Sequence, residues 1–196
     1  MLFRSDAAVM GPLFIAMSFS FGLAVFILVL IAACAAGATH LGDKLIGRLG
    51  RLLGIFAAAV LYFVLVQHLT NLYAAEHTGV ESFILAGGGV ITWAFWGGQV
   101  VIGGMLPLAL LLPGGTPPKG RVCLAALLVI AGGLAQLYVI IIDGQAYPLD
   151  LFPGLEERSG FFDGVVNAYS PSLPEIALGV GGAVLAAVIV MVGIRT

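Results

Sequence analysis

The sequence predicts an all-α fold, a polytopic integral membrane bundle of about five transmembrane helices. Three observations carry that expectation. Five long apolar runs, residues 12–36, 52–75, 83–112, 122–142 and 173–194, fill most of the 196 residues. Each reaches the roughly 20 residues that a helix needs to cross about 30 Å of hydrocarbon at 1.5 Å per residue. Only 9% of the chain is charged, nearly all of it between the runs, and the mean hydropathy is +1.13. A soluble core has no place for five such segments, because a surface helix needs a polar face. Residues 1–196 therefore read as one membrane domain, and its longest stretch outside lipid is an outer loop at 143–172.

The first helix opens at Gly11-Pro12, with proline in the first turn, where its missing N–H costs nothing. Its apolar run is too long for the core of a cleavable leader and is expected to be retained. Residues 40–53 alternate Leu41, Leu45, Ile46, Leu49 and Leu53 with Asp43, Lys44, Arg48 and Arg51. That pattern predicts an amphipathic stretch lying on the cytoplasmic membrane surface. Pro107, inside the third run, is expected to kink that helix near its cytoplasmic end. Residues 113–120, Pro-Gly-Gly-Thr-Pro-Pro-Lys-Gly, form a cluster of breakers before the fourth helix. The outer loop carries Tyr147, Phe152, Phe161, Phe162 and Tyr169, side chains that favour the membrane–water interface, and reads as re-entrant or surface-lying. Ser172-Leu-Pro-Glu175 opens the fifth helix as a capping box.

Glycine is abundant, at 28 residues, about double its ordinary use. In lipid, helices associate through close backbone approach rather than through a hydrophobic force. Gly97, Gly98, Gly103 and Gly104 in the third helix, Gly132 with Ala125 and Ala135 in the fourth, and a Gly179–Ala183–Ala187 stripe in the fifth mark the expected contacts, with one another or with other helices.

The positive-inside rule orients the bundle. Lys44, Arg48, Arg51, Lys119, Arg121 and Arg195 fall on one side, and only Arg4 and Arg158 on the other. That second side carries Asp6, Glu76, Glu81, Asp143, Asp150, Glu156, Glu157, Asp163 and Glu175. The N-terminus is expected outside an inner (plasma) membrane and the C-terminus in the cytoplasm. A net charge of −2 gives no footprint for nucleic acid. Cys34 and Cys123 both fall near cytoplasmic helix ends, where reduced, structural thiols are expected.

Polar side chains within the runs are the functional candidates, since each is costly in hydrocarbon. The second helix carries Tyr62, Gln67, His68, Thr70, Asn71 and Tyr73; Gln67 and Asn71 share a face, and His68 lies three residues before Asn71. Thr92, Trp96 and Gln99 are spaced to share one face of the third helix, and Gln136 and Asp143 one face of the fourth. His68, Asn71, Glu76, His77, Glu81, Asp143 and Gln145 gather toward the outer membrane face. Quinol oxidation needs hydrogen-bond partners for two oxygens and an acceptor for protons, and a histidine with a carboxylate supplies both. The site candidates are Gln67, His68, Asn71, Thr92, Gln99, Gln136 and Asp143, as a quinone headgroup site or a proton route. Interhelical hydrogen bonding is the structural alternative, stronger for Thr92, Gln99 and Gln136, while Glu76, Glu81 and Asp150 read as solvated loop charges. A haem would need two histidines facing each other at one depth. His40, His68 and His77 lie at different depths, so neither haem nor a bound metal is expected.

Several phrases carry a resemblance to a known family. They are Pro12-Leu-Phe-Ile-Ala-Met-Ser-Phe-Ser-Phe-Gly-Leu-Ala24, Gln67-His-Leu-Thr-Asn-Leu-Tyr73 with its acidic turn, and Gly132-Gly-Leu-Ala-Gln-Leu-Tyr-Val-Ile-Ile-Ile-Asp-Gly-Gln145 running on to Tyr147-Pro-Leu and Leu151-Phe-Pro-Gly154. Phe161-Phe-Asp-Gly164 and Tyr169-Ser-Pro-Ser-Leu-Pro-Glu175 complete the set. The chain resembles the C-terminal half of the NrfD/PsrC, polysulfide-reductase type, membrane subunits, closest to the ten-helix branch in sulfur metabolism. The resemblance implies a quinone-interacting membrane anchor, using menaquinone or ubiquinone and binding no haem. It would dock on an iron–sulfur subunit, with a molybdopterin catalytic subunit beyond. The resemblance also makes the chain a fragment, and the family's best-described quinone site lies in the other half, so no site residue is carried over. An ion- or solute-translocating module and a purely structural half of the anchor are the alternative readings.

Overall fold

The computed structural model describes residues 8–37, 42–74, 78–146 and 171–195. Helix α1 runs Met10–Ala35, α2 Asp43–Tyr73, α3 Thr78–Ala86 and α4 Val90–Trp93. A π-helical stretch, Ala94–Met105, then leads into α5, Leu106–Leu111, followed by α6, Lys119–Ala146, and α7, Leu173–Arg195. The fold is all-α, as expected. Five helical segments are long and apolar enough to cross a membrane: α1, α2, the composite Val90–Leu111, α6 and α7. Most of the expected outer loop, residues 147–170, lies outside the described residues.

Helices are what such sequences must form, because lipid offers the backbone no hydrogen-bond partners. The packing is that of a lipid-solvated bundle. On α1, Leu13, Met17, Ser20, Ala24 and Ile27 turn inward at helical spacing, while Phe14, Ile15, Phe19, Val25 and Phe26 face out. On α2 the inward stripe includes Gly47, Gly50, Gly54 and Ala57. Small residues there let neighbouring helices come close. A Cβ on Gly50 would lie 2.6 Å from Val122, and one on Gly98 2.6 Å from Ala135. The closest crossing joins α6 to the π-helical stretch, where a Cβ on Gly132 would overlap the Gly103 backbone. Of the glycines expected at contacts on the third and fourth spans, Gly98, Gly103, Gly104 and Gly132 are at contacts, whereas Gly97 meets only Trp93 of its own span.

Two expectations are corrected. The third run does not form one helix from residue 83. It is split by Gly87-Gly88-Gly89, with Gly88 in the left-handed region at φ +71, so α3 ends before the turn and the span begins at Val90. Residues 43–53 do not lie flat on the membrane surface but form the first turns of α2. That helix's 31 residues extend about 46 Å, with Ile46, Gly50 and Leu53 buried and Lys44, Arg48 and Arg51 outward. Ahead of Pro107, on the side where a proline removes a helix hydrogen bond, lies a π-helical stretch that ends two residues earlier. On α7 every described side chain is exposed, so the Gly179–Ala183–Ala187 stripe meets no other described helix of this chain. Its capping box is formed on one arm, with the Ser172 N–H donating to Glu175 Oε2 at 2.7 Å.

Two apolar clusters divide the bundle along its length. One, with Leu13, Met17, Val64, Ile84 and Phe95, lies beneath α3. The other, with Ile27, Ile46, Leu53, Leu111 and Val122, lies at the basic end. There Arg51 donates to the Gly114 carbonyl at 3.4 Å and Lys119 pairs with Asp43 at 2.9 Å, which brings the two basic segments together.

Candidate functional site

The polar residues collect at the opposite end, under α3. The last turns of α2 present His68 and Asn71 on one face, since residues three apart are neighbours on a helix. α3 folds across them with Val80, Glu81 and Ile84 on its buried face. Glu81 is 2% exposed, and both of its oxygens are engaged. Asn71 Nδ2 donates to Oε1 at 2.7 Å, and His68 Nδ1 lies 2.7 Å from Oε2. The edge of the His68 ring meets Phe95, with centroids 4.6 Å apart and planes at 71°. A carboxylate taken out of water in this way requires such partners.

Glu81 is thus not a solvated loop charge, and that expectation is corrected. The reason is the glycine turn: with the span starting at Val90, the residues before it are free to form a capping helix. The signal was present in the sequence, since Val80 and Ile84 are spaced as one helical stripe and Glu81 falls within it.

A cavity of about 80 Å³ opens beside the trio. Its polar lining is Gln67, His68, Asn71, Glu81, Gln99 and Gln136, with Leu13, Val64 and Val80 among the apolar walls. Gln67 Nε2 reaches Met10 Sδ at 3.4 Å. Gln99 and Gln136 are 6% and 2% exposed, yet Gln99 Oε1 and Gln136 Nε2 have no hydrogen-bond partner. Leaving such groups unpaired costs about 1–3 kcal/mol each. An acceptor and a donor facing one cavity are chemically equipped to hold water or a ligand's polar oxygens.

Of the seven sequence candidates, five come together here: Gln67, His68, Asn71, Gln99 and Gln136. Thr92 does not. Its hydroxyl donates to the Phe83 carbonyl at 3.3 Å and ties the third span to α3. Trp96 is exposed and donates to the Leu85 carbonyl at 3.1 Å. The single face expected for Thr92, Trp96 and Gln99 fails because i→i+5 bonding over Ala94–Met105 changes the angular spacing of side chains. Asp143 lies in α6, but its side chain is outside the described residues, as is that of Gln145. His40, Glu76, His77 and Asp150 are also outside them.

A helical bundle with five candidate spans and a polar pocket near one end defines a multi-pass integral membrane protein. The chain belongs to the NrfD family, Polysulphide reductase, NrfD, whose sequence profile matches residues 3–148. It is 27% identical over 192 residues to the Hdr-like menaquinol oxidoreductase integral membrane subunit of Archaeoglobus fulgidus, covering 96% of this chain and 48% of that protein. It is 31% identical over 201 residues to a putative dimethyl sulfoxide reductase membrane subunit of Halobacterium salinarum, covering 94% and 44%. Against a selenate reductase subunit of Mesobacillus selenatarsenatis it is 30% identical over 148 residues, covering 74% and 33%. The chain thus spans half or less of the length of these relatives. No solved structure matches it significantly.

Proposed function

We propose that this chain forms part of the membrane anchor of a quinol-oxidising respiratory complex, and that the cavity under α3 serves proton transfer from the quinol. The observation that carries the reading is Glu81, a buried carboxylate held by His68 and Asn71 at the mouth of a polar cavity. Oxidation of a quinol to a quinone releases two protons and two electrons. The His68–Glu81 pair accepts the two protons in turn and passes each to water, while the electrons leave one at a time to an iron–sulfur partner subunit. A molybdopterin subunit beyond it would reduce the terminal acceptor. The names of the relatives, which include a menaquinol oxidoreductase and subunits of two reductases, favour menaquinol and a multi-subunit partner set. The charge asymmetry favours an outward-facing Glu81 end in the plasma membrane.

The test is quinol-dependent reduction by the assembled complex in membranes carrying Glu81→Gln or His68→Ala. General acid–base groups contribute about 10²–10⁴-fold, so each variant is expected to lose at least about 10²-fold in rate with subunit assembly intact. Wild-type rates in both variants would overturn the site while leaving the family membership untouched.

A further inference from the structure

We infer that ordered water extends the Glu81 cavity past Gln99 and Gln136 to the middle of the bundle, and that this path is closed from the basic end. The inference concerns water access and holds whichever ligand the site takes. A second cavity, of about 10 Å³, lies below the first and is lined by Ser20, Phe21, Leu61, Gly103 and Gly132, among others. Gln99 and Gln136 line both cavities. That volume admits about one water. The unpaired Gln99 Oε1 and Gln136 Nε2 are the partners that would hold it.

A larger ligand does not fit there. Gln99 and Gln136 flank the closest crossing in the bundle, where Gly98 meets Ala135 and Gly103 meets Gly132 backbone to backbone. A ring the size of a quinone headgroup would have to separate these helices, whereas a water would not.

Beyond Ser20 the interior formed by the described residues is apolar. One turn further along α1 begins the cluster of Ala24, Ile27, Leu53, Leu111 and Val122. The buried polar side chains among the described residues are Ser20, Glu81, Gln99 and Gln136, none of them within that cluster. His68, by contrast, keeps 15% of its side chain exposed at the mouth. Protons reaching Gln136 through water therefore return by the Glu81 end. The bundle formed by the first four spans is a one-sided aqueous inlet, not a transmembrane route.

The silver ion, small and thiol-reactive, is the probe. The full chain, with Cys34→Ala and Cys123→Ala, carries Ser20→Cys or, as the plug control, Ala125→Cys, in membrane vesicles of either orientation. Silver added at the Glu81 face is expected to abolish later maleimide labelling of the denatured Ser20→Cys chain. Silver added at the basic face is expected to leave that labelling intact, and Ala125→Cys is expected to be protected from neither face. Protection of Ser20→Cys from both faces would overturn the closure, and protection from neither would overturn the water path. Hydroxyl-radical footprinting of the unsubstituted chain gives an independent reading, with oxidation expected at Phe21 and not at Ile27, Leu53 or Val122. Absence of oxidation at Phe21, or oxidation at the plug residues, would overturn the inference without engineered cysteines. Neither measurement uses quinol, so their failure is distinct from failure of the proposed function.

Discussion

Glu81→Ala removes both 2.7 Å contacts at once and leaves His68 Nδ1 and Asn71 Nδ2 facing an empty position. A side-chain hydrogen bond in a helical membrane protein contributes about 0.6 kcal/mol on average and about 1.7 at most. Two such bonds set an expected loss of roughly 1–3 kcal/mol. Because Glu81 is 2% exposed, water replaces the carboxylate only by entering the cavity, which places the loss in the upper part of that range. Glu81→Gln keeps the shape and one acceptor oxygen, and is expected to lose about half as much. The assay is equilibrium unfolding in mixed micelles followed by tryptophan fluorescence. The chain's two tryptophans, Trp93 and Trp96, suit it well, since the Trp96 ring lies 5.0 Å from Phe95, which meets His68. A double-mutant cycle with His68→Ala isolates the pair, with an expected coupling of at least about 0.5 kcal/mol. Zero coupling, with Glu81→Ala as stable as the exposed Ser82→Ala, would refute the buried carboxylate on which the site rests.

The helix crossing gives a second prediction. Gly132→Ala, whose added Cβ overlaps the Gly103 backbone, is expected to cost about 1–3 kcal/mol by the same assay. Gly179→Ala, with open space around it, is expected to hold or raise stability through helix propensity. Glu175→Ala removes the acceptor for the Ser172 N–H and is expected to weaken the start of α7 by about 0.5–2 kcal/mol, read as faster amide exchange over residues 172–176. Asp43→Asn breaks the exposed pair with Lys119 and is expected to leave the unfolding midpoint unchanged, because solvent screens such pairs.

The legible parts of this fold are those that depend on one periodicity at a time. Apolar run length located the five spans, and glycine in an apolar helix located Gly98, Gly103 and Gly132 at backbone crossings. The i, i+3 spacing of His68 and Asn71 put both on the face where they meet Glu81. What stayed hidden depended on departures from that periodicity. Ala86-Gly-Gly-Gly-Val90 counts as apolar, so the run appeared continuous, yet its φ-positive glycine ends one helix and frees Glu81 to cap another. The π-helical stretch likewise rotates Gln99 inward and Trp96 outward, which a helical wheel cannot show. The contacts of Glu81 join α2 to α3 across residues 75–77, and no spacing rule measures such a distance.

The two glutamines separate a packing account of this bundle from a functional one. At the tightest crossing the simplest solution would be apolar side chains, as at the basic end, where Val122, Ala125 and Ala126 fill the interior without a polar atom to satisfy. Gln99 and Gln136 instead carry an unpaired acceptor and an unpaired donor into the same space, each costing about 1–3 kcal/mol if left dry. Glu81 differs, because both of its oxygens meet partners within the protein, and these contacts join α3 to α2. A structural role therefore accounts for Glu81 in part and leaves one polar atom of each glutamine unexplained. Their cost is offset only by something that enters the cavity, and the narrowness of the crossing limits that to water. The polar half of the bundle is thus built to be wet to mid-depth, and the glycine-lined, apolar half to keep it wet from one side.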